Sequence, residues 1–152
     1  MKVIVAADHR GFLLKESLKA YLIAGGHDVV DAGAATLNPT DDYPDYAYPA
    51  AQMVAAAPGA KGILICGSGM GMDVVANKVK GIRAAIAYSK EAAAHGAAND
   101  GLNIITLAAD ILDDTSAREI VDVFLSTTLT PDERFLRRLQ KISAIEEEQR
   151  PA

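Results

Sequence analysis

Residues 62–83 change character twice within a short span, and few folds tolerate that. Ile63-Leu64-Ile65 is an unbroken apolar run, the pattern of a strand buried on both faces. It ends at Cys66, the only cysteine. Gly67-Ser68-Gly69-Met70-Gly71 follows, and Val74, Val75 and Val79 then recur at helical spacing. Strand, glycine loop and helix in direct succession make an anion site, because the free backbone N–H groups at the helix start can face a phosphate or an enediolate. The thiol stands at the strand's end, where parallel-sheet enzymes place their chemistry. Spacing alone does not decide its role. The loop is not the dinucleotide fingerprint, and a lone cysteine is more often a small buried hydrophobe than a base.

The flanking chain repeats the alternation. Residues 3–7 read as a strand, and Leu13, Leu14, Leu18, Tyr21 and Leu22 as a helix that Gly25-Gly26 stops. Residues 27–31 form a second strand. Residues 46–57 read as a helix with a small apolar face of Ala50, Val54 and Ala55, ended by Pro58-Gly59. Residues 82–87 are a strand. Ser89 caps a helix that runs towards Asn99-Asp100-Gly101, and residues 103–107 are the fifth strand. Thr115-Ser116 is expected to cap a helix carrying Ile120, Val121, Phe124 and Leu125. A last amphipathic helix sets Phe135, Leu136, Leu139 and Ile142 against Arg134, Arg137, Arg138 and Lys141, and residues 146–152 are expected to fray. The expectation is one α/β domain over residues 1–152, a three-layer Rossmann or flavodoxin-like fold on a five-stranded parallel sheet.

Half the residues are hydrophobic, enough for a core, but aromatics are few and tryptophan is absent. Alanine and the aliphatic residues must therefore fill it. A net charge of -5 argues against non-specific nucleic-acid binding. One cysteine excludes an internal disulfide and fits a reducing cytosol. The N-terminus has no signal-peptide layout and no stretch is long and apolar enough for a bilayer, so a cytoplasmic location is expected.

Asp8 and His9 follow the first strand and share an edge with Cys66. Asp8 also reads as a helix N-cap and His9 as an exposed loop residue. Residues 33–49 form a long connection, and such loops are often functional. Its acidic run is expected to be solvated, with Tyr43-Pro44 the part suited to line a pocket. The basic last helix reads either as a solvated face or as a phosphate clamp, and both readings let it pack on a second subunit.

Asp8-His9-x-Gly11, Asp42-Tyr43-Pro44, the block from Gly62 to Gly71, and Ala76-Asn77-Lys78-x-x-Gly81-Ile82-Arg83-Ala84 occur together and in order, with Asn103 and a late arginine pair after them. From Lys2 to about Ile145 the chain closely resembles the ribose-5-phosphate isomerase B / galactose-6-phosphate isomerase family. The resemblance implies an aldose–ketose isomerase of sugar phosphates that uses no cofactor and no metal. It implies homodimers or dimers of dimers whose active sites are shared between chains. Cys66 then takes the C2 proton of the open-chain sugar, and the loop of Gly67, Gly69, Met70 and Gly71 holds the cis-enediolate. Ser68 positions the reacting oxygens. Asp8 and His9 bind sugar or phosphate, Tyr43 lines the pocket, and Arg134 and Arg138 grip phosphate. The chemistry is consistent: an enediolate needs aligned donors as it forms, a base within hydrogen-bond reach, and an anchored remote phosphate.

Three departures stand out. The family's histidine–asparagine pair before the fifth strand, whose histidine opens the sugar ring, falls on Asn99 and Asp100, or on Ala98 and Asn99 if one residue is inserted. Asn99 in the catalytic position cannot shuttle a proton near neutral pH. His95, one helical turn earlier, substitutes only if the helix shifts. A family arginine after the fifth strand is Asp110, and a family histidine after the first late arginine is Phe135. Arg10, where the family has a small or neutral residue, is expected to restore positive charge at the phosphate. Ring opening then falls to Asp8, His9, Asp100 or water. The sequence-level reading is a ribose 5-phosphate isomerase. Beside it stand a six-carbon sugar phosphate isomerase, a catalytically impaired sugar-phosphate-binding paralogue and, more weakly, a flavodoxin-like nucleotide binder.

Overall fold

Each apolar run becomes a strand and each helical periodicity a helix. A computed structural model describes residues 1–149. The elements in chain order are β1 (Lys2–Ala7), α1 (Phe12–Ala24), β2 (Asp28–Asp31), α2 (Pro44–Ala56), β3 (Lys61–Cys66), α3 (Met70–Ala76), β4 (Ala84–Ile86), α4 (Lys90–Asn99), β5 (Ile104–Ala108), α5 (Asp114–Ser126) and α6 (Glu133–Glu148). The strands pair in parallel in the order β2-β1-β3-β5-β4.

That order fixes the layers. The steps β1 to β2 and β4 to β5 run one way along the sheet, and β2 to β3 and β3 to β4 run the other. Right-handed crossovers therefore set α1 and α4 on one face and α2 and α3 on the opposite face. The side chains agree. Val3, Val5, Ile63 and Ile65 pack with Leu18, Leu22, Ala93, Ala97, Ile120 and Phe124. Ile4, Ala6, Leu64 and Cys66 pack with Ala47, Ala50, Ala51, Val54, Met72 and Ala76. Alanines on α2 let its backbone lie close to the sheet, which replaces the missing aromatic bulk. Each fully buried Leu or Ile contributes roughly 1.5–3 kcal/mol.

Local departures have physical reasons. α2 begins at Pro44, earlier than the periodicity suggests, because proline suits the first helical turn. β4 is shorter than expected, Ala84–Ile86 only. Asp113, rather than Thr115-Ser116, caps α5, its carboxylate accepting from the Ser116 N–H at 2.7 Å. On α1 the expected apolar Leu13 is 75% exposed, whereas Lys15 is fully buried. Its ammonium donates to Asp31 Oδ2 and to the Ala34 carbonyl, both at 2.7 Å, and so carries its own counter-charge into the interior.

α6 lies across the edge of the sheet where the strands begin. The Thr130 N–H bonds the Ala98 carbonyl at 2.8 Å, and Leu139 covers Gly101. Glu146 accepts from the Gly81 N–H at 3.0 Å, and Glu147 pairs with Lys80. Residues 146–148, expected to fray, are thus bonded helix. Residues 150–152 of the same tail lie outside the described residues. α6 has no buried residue, and Leu136 and Ile142 on it are each 40% exposed.

Candidate active site

Ala7 of β1 lies beside Ile65 of β3, so Asp8-His9 and Cys66-Gly67 leave the sheet together. Here the chain diverges, to β2 on one side and beyond β3 on the other. This is the switch point at which open parallel sheets bind ligands.

Asp8 is buried and held inward. Its Oδ1 accepts from the N–H groups of Arg10 at 3.0 Å and Gly11 at 3.1 Å, which closes the turn into α1. A Cβ on Gly11 would stand 2.5 Å from the Ile65 carbonyl oxygen, so only glycine lets this turn press on β3.

His9 is bound twice by one carboxylate oxygen. Asp41 Oδ1 accepts the His9 backbone N–H at 3.0 Å and lies 2.6 Å from Nδ1. The Asp41 side chain is only 4% exposed. Burial pushes its carboxyl up, but the two bonds from His9 prevail and hold it below its ordinary value. Burial and the Asp41 charge raise the neighbouring Tyr46 hydroxyl. The acidic run is therefore not simply solvated: Asp41 orients the site histidine. The chemistry of the Asp–His pair was available from the sequence, but no spacing joins residues 9 and 41.

Cys66 is buried, its side chain on the α2–α3 face. The Gly69 N–H donates to Sγ at 3.1 Å. Gly69 has φ +77°, a conformation that needs glycine, and it turns the start of α3 back over the sulfur. The Met70 N–H meets Ser68 Oγ at 3.3 Å, while the Met70 side chain faces solvent. The Tyr43 ring lies on Gly71, where a Cβ would come within 2.8 Å of it. Gly67 lies under the side chains of Arg10 and Asp110.

Arg10 and Asp110 form an ion pair across Gly67. The Arg10 guanidinium, expected to face the phosphate, is matched by Asp110 of its own chain. The two departures from the family pattern are one exchange: an acid after β5 and a base after β1 neutralise each other.

Asn99, Asp100, Arg134 and Arg138 are not brought to Cys66. Arg83, just before β4, donates from Nε to the carbonyls of Asp100 at 3.2 Å and Gly101 at 2.9 Å, which places that turn at the opposite edge of the sheet. The rise of β3 from Gly62 to Cys66 alone separates the edges by about 13 Å. Arg134 bonds Asp132 there, at 2.8 Å from Nη2, and its bonds push the Asp132 carboxyl down to about 2. The guanidiniums of Arg134 and Arg138 lie 5.6 and 5.9 Å from the centre of the Phe135 ring. His95 stands 3.7 Å from Asp100, both exposed. Among the described residues no three His, Cys, Asp or Glu side chains gather to hold a metal ion, and no helix is long and apolar enough to cross a membrane.

Residues 3–142 match the protein family described as Ribose/Galactose Isomerase. The chain belongs to that family. It is 35% identical over 146 residues to ribose-5-phosphate isomerase B of Mycobacterium tuberculosis, covering 96% of this chain and 90% of that one. It is 40% identical over 155 residues to the 4-deoxy-4-sulfo-D-erythrose isomerase of a Clostridium species, covering 97% and 96%. The crystal structure of ribose-5-phosphate isomerase B from Mycoplasma genitalium with bound ribulose-5-phosphate superposes with a TM-score of 0.93 at 36% identity, covering 97% of each chain.

Proposed function

We propose that this chain is an aldose–ketose isomerase of sugar phosphates and that its substrate pair is ribose 5-phosphate and ribulose 5-phosphate. The observation that carries this reading is the Gly69 N–H on Cys66 Sγ beneath a glycine loop that opens a helix. An acceptor sulfur can take the C2 proton of the open-chain aldose. The electron pair moves into the C1–C2 bond, O1 gains a proton, and the cis-enediol forms. Return of a proton to C1 while O2 loses its own gives the ketose. The glycine loop of Gly67, Gly69, Met70 and Gly71 surrounds the oxygens on which charge develops, its Gly67 and Gly71 amides not being taken up by Cys66 or Ser68, and Ser68 orients those oxygens. Tyr43 bounds the pocket, with Asp8 and His9 on its other side. The reading places the protein in the cytoplasm, in keeping with its lone free thiol.

The phosphate is gripped by Arg134 and Arg138 of a second copy, with Asn99 and Asp100 beside them. Two features support this arrangement: these residues lie at the edge away from Cys66 of their own chain, and α6 exposes Leu136 and Ile142. Two copies docked reciprocally bury that face and complete two sites.

A second reading is a shorter substrate. A four-carbon aldose with its anionic group on C4 has no hydroxyl to close a five-membered ring, so it needs no ring-opening group. The 40% identity to an isomerase of a C4-sulfonated erythrose and the lack of histidine at residues 98–100 favour it. A coupled assay on ribose 5-phosphate, erythrose 4-phosphate, allose 6-phosphate and galactose 6-phosphate tests both. Turnover fastest on ribose 5-phosphate supports the first reading, and turnover confined to erythrose 4-phosphate the second. No turnover on any, with thermal stabilisation by a sugar phosphate, points to a binding paralogue.

A further inference from the structure

A pentose phosphate reaches the protein as a closed ring. Its C1 is a hemiacetal carbon, and no proton alpha to a carbonyl exists until that ring opens. Opening needs one group that takes the O1 proton and returns a proton to the ring oxygen, and histidine is the side chain suited to this near neutral pH.

The chain has three histidines. His27 precedes β2, at the edge where the strands begin, and its Nδ1 is buried. His95 lies on α4 beside Asp100, towards that same edge. His9 alone stands on the edge that carries Cys66, and it is a built residue. Asp41, almost wholly buried, binds both its backbone N–H and its Nδ1. An ionised carboxylate on Nδ1 keeps the hydrogen there and leaves the Nε2 lone pair free. No described residue bonds Nε2, and the ring is 30% exposed. Asp8, the other carboxylate at this turn, is buried, and its Oδ1 is occupied by the N–H groups of Arg10 and Gly11. Arg10 is occupied by Asp110. Of the polar side chains that follow β1, His9 is the one that can both take a proton and return it near neutral pH.

We propose that His9 opens the sugar ring and that Asp41 is its positioning residue, an inference that rests on the isomerase reading above. Nε2 accepts the proton of the C1 hydroxyl. As C1=O1 forms, the bond from C1 to the ring oxygen breaks and its electron pair stays on that oxygen. The imidazolium then gives its proton to the same oxygen, which becomes the C4 hydroxyl. The aldehyde is released beside Cys66, and His9 returns to its starting form.

The test compares a ring-forming with a ring-free substrate. Ribose 5-phosphate closes through its C4 hydroxyl, whereas erythrose 4-phosphate carries phosphate on that oxygen. His9→Asn keeps an amide donor for Asp41 but has no proton to exchange. It is expected to lower kcat on ribose 5-phosphate by about 30-fold or more beyond any loss on erythrose 4-phosphate. Asp41→Asn, which frees the ring tautomer, is expected to lower the ratio of the two activities in the same direction by about tenfold. Equal losses on both substrates would make His9 a binding residue and overturn the proposal, as would no loss on either. A wild-type protein that turns over erythrose 4-phosphate alone would also overturn it while leaving the isomerase intact. A wild-type protein active on neither, nor on allose 6-phosphate or galactose 6-phosphate, refutes the isomerase reading itself.

Discussion

The two edges of the sheet are built on opposite plans. Where the strands end, the polar groups are tied to their own chain: Asp8 to a turn, His9 to Asp41, Arg10 to Asp110, and Lys15 to Asp31. Space there is so tight that Gly11, Gly67 and Gly71 admit no side chain without displacement. Where the strands begin, α6 lies over the loops with apolar side chains turned outward, and among the described residues its Arg134 meets Asp132 and the Phe135 ring while Arg138 meets that ring. One edge is pre-organised within a single fold. The other leaves apolar side chains and cations open to solvent.

The largest expected effect falls on the finished edge. Cys66→Ala removes the proposed base and is expected to lower kcat about a thousandfold while circular dichroism and sugar-phosphate binding persist. Lys15→Met leaves Asp31 and the Ala34 carbonyl without their buried partner and is expected to cost about 3 kcal/mol in urea unfolding. An unchanged midpoint would mean that this edge is less interlocked than its bonds suggest. Joining the edges gives a sharper test. Cys66→Ala and the double variant Arg134→Ala/Arg138→Ala, each inactive alone, are expected to regain roughly a quarter of wild-type activity when unfolded and refolded together, because random pairing restores one intact site in half the dimers. No recovery would show that both edges act within one chain.

Smaller effects follow. Gly71→Ala must push the Tyr43 ring aside and is expected to raise KM for ribose 5-phosphate several-fold with kcat less affected. The smallest is in acid. Burial raises the Asp31 carboxyl, but its bonds to Lys15 and Lys19 prevail and hold it below 3.8. A depressed carboxylate adds stability above its unfolded value, and that stability is lost as pH falls through the folded one. Lys19→Ala removes one of those bonds and is expected to move the acid-unfolding midpoint slightly upward in pH.

The sheet was legible from sequence because its signals are local. Each strand is a short apolar run and each helix a periodic one, so type and order follow from neighbours in the chain. The glycine loop and Cys66 were legible for the same reason. The order β3-β5-β4 was not, since nothing local says that the fifth strand enters between the third and fourth. Asp41 and Asp110 escaped for a related reason. A run of acids and a lone aspartate read as solvated or misplaced until folding lays one on His9 and the other on Arg10. Lys15 shows the limit of periodicity, because a charge with two buried acceptors packs as an apolar residue would. Residues at opposite ends of parallel strands also look like one site in a list of motifs, and only the topology separates them.

The two outermost strands bear on how the protein behaves when crowded. A free strand edge is a template on which another chain can add hydrogen bonds, the first step of fibril growth. Here one outer strand is four residues long and begins and ends in Asp28 and Asp31, and the other has only three residues. Charge guards the first and brevity the second. Edge-to-edge addition of further strands, whose contacts propagate, is thereby disfavoured.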